Sequence, residues 1–125
     1  MFSDAFVTKA RESLAGAESE FANAQYNNVA NRAYYACFQA AVAALDLASV
    51  RPPGGSNRWS HGFAQAQYAG LLINQRKLYP AALRDTFNEL ARVREQADYK
   101  TDTIGRARAS RTLARAHDLV AAVAG

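Results

Sequence analysis

The run NRAYYACFQAAVAALDLAS, residues 31–49, constrains the chain more than any other segment. It is rich in Ala and holds neither Gly nor Pro, so it favours a helix strongly. Tyr34, Phe38, Ala41 and Leu45 recur at helical spacing as an apolar stripe, flanked by Cys37 and Ala44. Small side chains along such a stripe let neighbouring backbones approach closely, and that is how a bundle is packed. Half of the residues are hydrophobic, much of that share being Ala, while Val and Ile are scarce. No long stretch alternates apolar and polar residues between turn pairs, so no sheet is expected.

The other segments read as further helices. Ser3 or Asp4 can cap a first helix whose inner positions are Phe6, Ala10, Leu14, Ala17 and Phe21. The polar stretch Asn23 to Asn28 separates it from the second helix. VRPPGGSNRW, residues 50–59, is a loop, because Pro52-Pro53 cannot extend a helix and Gly54-Gly55 loses too much entropy in one. Ser60 caps a third helix with Phe63, Ala66, Gly70 and Ile73 inside and Leu71 beside them, ending near Lys77. Pro80 suits the first turn of a fourth. Leu83, Phe87 and Leu90 form the stripe of that helix, and one further turn brings Arg94 and Ala97 onto it. Asp102 or Thr103 caps a fifth helix with Ala109, Leu113, Ala116, Val120 and Ala124 inside. With 125 residues, the expectation is one all-α domain, residues 1–125, in which five helices form a compact bundle.

The net charge of +4 and a pI near 9.5 favour anionic partners, nucleic acid or an acidic protein surface. Cys37 is the sole cysteine, which rules out an internal disulfide and a Cys-based zinc site and suits a reducing compartment. The N-terminal residues carry charges and no apolar core, so they resemble neither a signal peptide nor a membrane span, and a cytoplasmic location is expected. HExxH, nucleophile elbow, P-loop and Gly-rich fingerprints are all missing, and no metal or cofactor is called for.

Several residues stand out. Arg94 places a guanidinium on an apolar stripe and requires a carboxylate, carbonyls or a ligand to offset desolvation, with Asp98 one turn on as one partner. Arg108, Arg111 and Arg115 share the face of the fifth helix opposite its apolar stripe, either as a solvated face or as a phosphate-contacting ridge. Tyr34 belongs to the core. Tyr35 projects about 100° away from it, towards a flank shared with Arg32, where it can stack a base or anchor an interface. His61 and His117 read as structural or solvated.

NRAYYACFQAAVAAL resembles the second helix of a subgroup of small prokaryotic HEPN proteins with an Arg-Ala-Tyr-Tyr-Ala-x-Phe signature. Ser60-His61 at the start of the next helix, and Arg94 to Tyr99 as Arg-x-x-Ala-Asp-Tyr, are similar to that subgroup too. The resemblance implies a HEPN-like bundle built on an up-and-down four-helix core, and a homodimer. Many HEPN domains are metal-independent ribonucleases whose Arg and His, separated by a short spacer, form a composite site with the second subunit. Arg94 matches that Arg, but no His follows in Glu95 to Thr101, and Gln39 stands where relatives often have His.

The resemblance therefore implies a binding or regulatory module without standard cleavage, acting on RNA or with a minimal nucleotidyltransferase in a toxin–antitoxin or defence setting. RNA or nucleotide contacts would fall to Arg108, Arg111, Arg115, Arg32 and Tyr35. The alternative is a ribonuclease that uses Arg94 with His61 or His117 as a non-standard proton-transfer group. Some relatives are modified by their transferase on a Tyr just after the motif, and Tyr99 lies within a turn of that location.

Overall fold

The computed structural model describes residues 2–55, 58–99, 101 and 103–125. Five α-helices follow in order: α1 (Phe2–Ala22), α2 (Tyr26–Leu47), α3 (His61–Gln67), α4 (Ala82–Tyr99) and α5 (Arg106–Ala124). A short 3₁₀ turn, Pro53–Gly55, sits in the loop after α2, and α3 runs directly into a π-helical segment, Tyr68–Gln75. Among the described residues there is no strand, as the composition requires.

α2 is the central element. Ala33, Ala36, Ala40, Ala41, Ala43 and Ala44 are all buried, together with Val29, Tyr34, Cys37, Val42 and Leu45. A helix buried on so much of its circumference must be covered on several sides, and α1, α4 and α5 all pack on it. α1 and α4 each also touch α5, which closes a four-helix arrangement, and α3 lies against α2 beside it. The main core joins Leu14 of α1, Leu45 of α2, Leu72 of the π segment, Phe87 and Leu90 of α4 and Leu119 of α5. Each large side chain buried this way contributes about 1.5–3 kcal/mol. A second, smaller cluster, Val29, Ala30, Val93, Ile104 and Ala109, secures the end of the bundle where α4 turns into α5.

Helix boundaries depart from the periodicity reading at identifiable places. α2 begins at Tyr26, inside the polar stretch expected to be a break. Asn27 there accepts from the amide of Ile104 (2.9 Å), Asn28 donates to Glu20 (3.3 Å), and Val29 and Ala30 are buried, so these polar residues are tertiary contacts within a helix. Ser3 and Asp4 lie within the first turn of α1 and not ahead of it. α4 begins two residues after Pro80, whose carbonyl accepts from Leu83 at 3.0 Å. Gly105, not Thr103, is the N-cap of α5, while Asp102 lies outside the described residues.

The third helix differs most. Ser60 caps it as expected, its hydroxyl accepting from the amide of Phe63 at 3.1 Å. The buried positions, however, are Ala64, Tyr68, Leu72 and Ile73, whereas Phe63 is half-buried and Ala66 exposed. Tyr68 is the largest apolar surface on the segment, and it wins the inner position. The i→i+5 bond from the Arg76 amide to the Leu71 carbonyl (2.9 Å) belongs to a wider turn that no 3.6-residue pattern anticipates. Lys77, at φ 53°, ends the segment in the left-handed conformation.

Candidate functional site

The site grows from α2. Tyr34 and Tyr35 are consecutive, yet both rings turn towards α4 and α3, meeting edge to face at 5.5 Å. α4 supplies Arg94 from the stripe of Leu83, Phe87 and Leu90, and α3 supplies His61 from the first turn that Ser60 caps. Three helices thus converge on one cationic group.

The Arg94 guanidinium lies over the Tyr34 ring at 4.8 Å and beside those of Tyr35 (5.7 Å) and Tyr99 (6.0 Å). A flat, weakly hydrated cation suits such aromatic faces, each desolvated contact being worth about 1–2 kcal/mol. Its polar partners are weaker. Nη1 donates to the Tyr35 hydroxyl at 3.4 Å, the Asp98 carboxylate stands 3.9 Å away, and the buried Nε has no hydrogen-bond acceptor among the described residues. Asn31 holds Asp98 in turn, its amide donating to Oδ2 at 3.1 Å. With a side chain 21 % exposed, a long ion pair to Asp98 at 3.9 Å and an Nε without an acceptor among the described residues, Arg94 has donors that its protein partners leave unused.

His61 completes the cluster. Its Nδ1 lies 2.8 Å from the Tyr34 hydroxyl, and its ring packs on Phe38 at 4.3 Å and Tyr35 at 5.5 Å. Tyr34 is 2 % exposed, and His61 is the only acceptor its hydroxyl has among the described residues. Burial pushes the phenol up to about 12, partly offset by Arg94, so it keeps its proton. A buried hydroxyl must donate somewhere, and here it donates to Nδ1. The neutral ring then carries its own proton on Nε2. Burial, and then the positive charge of Arg94, lower the pKa of His61 below the usual histidine value and hold it in that neutral form.

The arrangement brings Arg94, His61, Tyr35 and the 70 %-exposed Tyr99 together. Tyr35 faces Arg94 and not a flank shared with Arg32; Arg32 is exposed and runs beside Gly16 of α1. Arg108, Arg111 and Arg115 stand apart on α5. Arg108 donates to Gln96, Arg115 pairs with Glu89, and Arg111 is exposed. His117 is exposed and meets Glu18 at 3.1 Å. Gln39 faces α1, where it meets the Ser13 hydroxyl at 2.7 Å, so a His at this position would have to turn away from α1 to meet Arg94. Asn31 was missed by the sequence reading, although its spacing of three and four residues from Tyr34 and Tyr35 puts it on the same side of α2.

The model of the HEPN domain matches residues 3–125, nearly the whole chain. The chain belongs to the HEPN domain family. Its all-α bundle is the architecture that membership requires, and the membership supports a general RNA-related or regulatory role. No curated protein matches the chain. Among the described residues of this HEPN domain, no helix is long and apolar enough to cross a membrane, and no three His, Cys, Asp or Glu side chains are grouped to hold a metal ion.

Proposed function

We propose that this HEPN domain is an RNA-binding regulatory module in which Arg94 receives a phosphate of the ligand. The observation that carries the reading is the guanidinium's environment: three tyrosine rings position it, yet its nearest carboxylate is 3.9 Å away and its buried Nε lacks an acceptor. A phosphodiester oxygen would accept from the part of the guanidinium that stays exposed, since the Arg94 side chain is 21 % exposed although its Nε is buried. Tyr35 and Tyr99 offer faces on which a base can stack. His61 adds a neutral Nε2 donor. Arg111, Arg32 and the partly engaged Arg108 and Arg115 would extend the contact through unspecific phosphate attraction.

The resemblance to small prokaryotic HEPN proteins supports a homodimer in the cytoplasm, paired with a minimal nucleotidyltransferase in a toxin–antitoxin or defence setting. Tyr99, exposed beside Arg94, would be the acceptor if that transferase modifies its partner. Intact mass after incubation with ATP and the transferase tests this, and an unchanged mass removes it.

A second reading, metal-independent ribonuclease, draws on His61 lying within the field of Arg94. Cleavage requires a nitrogen free to take the proton of the attacking hydroxyl. With the Tyr34 hydroxyl 2.8 Å from Nδ1 and, as a buried phenol that keeps its proton, donating to it, the ring's own proton falls on Nε2, which favours binding over proton abstraction. The test is titration of labelled single-stranded RNA in buffer with a metal chelator, comparing wild type with Arg94→Gln and checking the RNA for cuts. The binding reading expects RNA that is bound and intact, with affinity at least tenfold weaker in the variant. RNA cut by wild type and spared by the variant would establish the nuclease instead.

A further inference from the structure

Between Asp46 and Asp85 the chain contains no acidic residue, while it carries Arg51, Arg58, Arg76, Lys77 and Arg84. Arg51 is paired with Asp46 at 2.8 Å, and Arg76 donates to the carbonyl of Ala48 at 3.2 Å. Lys77 and Arg84 are different. Both line a cleft of about 370 Å³ together with Ile73, Asn74, Tyr79 and Ala81, at the junction between the π segment and α4. No carboxylate lines that cleft, and among the described residues neither cation is paired with one.

The cleft is organised. Arg84 donates from Nη1 to the Asn74 side-chain oxygen at 2.6 Å, which aims the guanidinium without neutralising it. Lys77 is held at φ 53°, a conformation an L-residue adopts at a cost of about 1–2 kcal/mol, and this sets where its ammonium leaves the backbone. Tyr79 forms a wall, its ring backed by the buried Tyr68 at 5.3 Å.

We infer that the cleft lined by Lys77, Arg84, Asn74 and Tyr79 is a second anion site, which takes a phosphate group of a nucleotide or of an RNA strand. The two cations meet the phosphate oxygens, the Asn74 amide donates a further bond, and Tyr79 lies where the attached sugar or base would rest. Arg84 and Arg94 are on the same helix, about 15 Å apart along its axis, so the site is separate from the Arg94 cluster and stands or falls independently of it.

The experiment measures binding of a 5′-phosphorylated single-stranded oligoribonucleotide, and separately of AMP, to the full chain by calorimetry at two salt concentrations. Wild type is compared with the double variant Lys77→Asn/Arg84→Gln and with Arg94→Gln. Asn tolerates the left-handed backbone at position 77, so the double variant removes charge without adding strain. The expected result is at least a fivefold loss of affinity in the double variant, with a salt slope reduced by about one to two. If AMP binding depends on the same two residues, a free nucleotide is the source of the phosphate; if only the oligoribonucleotide binds, the strand is. Retained dependence on Lys77 and Arg84 alongside indifference to Arg94→Gln would keep this site and discard the Arg94 reading. Affinity and salt slope both unchanged in the double variant, or no binding of either probe by wild type, would overturn the assignment.

Discussion

At the residue scale, the pair Tyr34 and His61 makes the site's most specific predictions. Tyr34→Phe removes the donor to Nδ1, a bond that favours the neutral ring, so the His61 pKa should rise towards the ordinary histidine value. Arg94→Gln should raise it as well, by removing a positive neighbour. Both are read from imidazole resonances in an NMR pH titration, and a pKa unmoved by either substitution would mean that the 2.8 Å contact does not set the ring's state. Stability follows with a defined sign. Because folding lowers the His61 pKa, the unfolded chain takes up that proton first as pH falls below about 6.5, so the histidine's contribution is full above that value and is lost on acidification. Thermal melts between pH 7 and 5 should show a shallower decline for His61→Gln than for wild type. Tyr34 acts at the other extreme: folding raises its pKa to about 12, so its contribution is lost as pH climbs from about 10 through 12. The inward direction of Arg94 and its proximity to Asp98 were legible from spacing along one helix. That His61 and both tyrosines would surround it was not, because residues on α2, α3 and α4 meet only after packing.

At the element scale, helix existence was plain in the sequence and helix limits were set by tertiary contacts. Asn27 looked like a helix breaker, yet its side-chain oxygen accepts from the amide of Ile104, 77 residues away. Asn27→Ala should cost about 1 kcal/mol by leaving that amide unpaired. Ile104→Ala, which opens the small cluster of Val29, Val93 and Ala109, should cost about 2–4 kcal/mol in urea unfolding, with the slope unchanged. Two residues after α1, Ala24 adopts the left-handed conformation, φ 58°, and the Gln25 amide bonds back to the Glu20 carbonyl at 2.8 Å. Ala24→Gly relieves that strain at some entropic cost and should raise stability by up to about 1 kcal/mol. The inner face of the third helix was misread at Phe63 and Ala66 because Tyr68 takes the inner position and brings Ala64, one regular turn before it, inside with it, while Ile73 is buried as expected.

At the scale of the whole molecule, an Ala-rich central helix lets α1, α4 and α5 pack closely, and the same closeness lets residues on three helices meet around Arg94. The bundle's class was readable from composition, since abundant Ala with scarce Val and Ile leaves little but helices. The contribution of α3 was not, because a short helix after a Pro-Gly loop can dock on any side of a bundle. The account centres on Arg94 as a preformed anion receptor. The most direct test is the NMR signal of its side-chain Nε–H, followed while single-stranded RNA is added to the folded chain. The account predicts a saturable shift of that signal, moving in step with the His61 ring resonances and absent in Arg94→Gln. RNA that binds while the Arg94 Nε–H and His61 signals stay in place would contradict it.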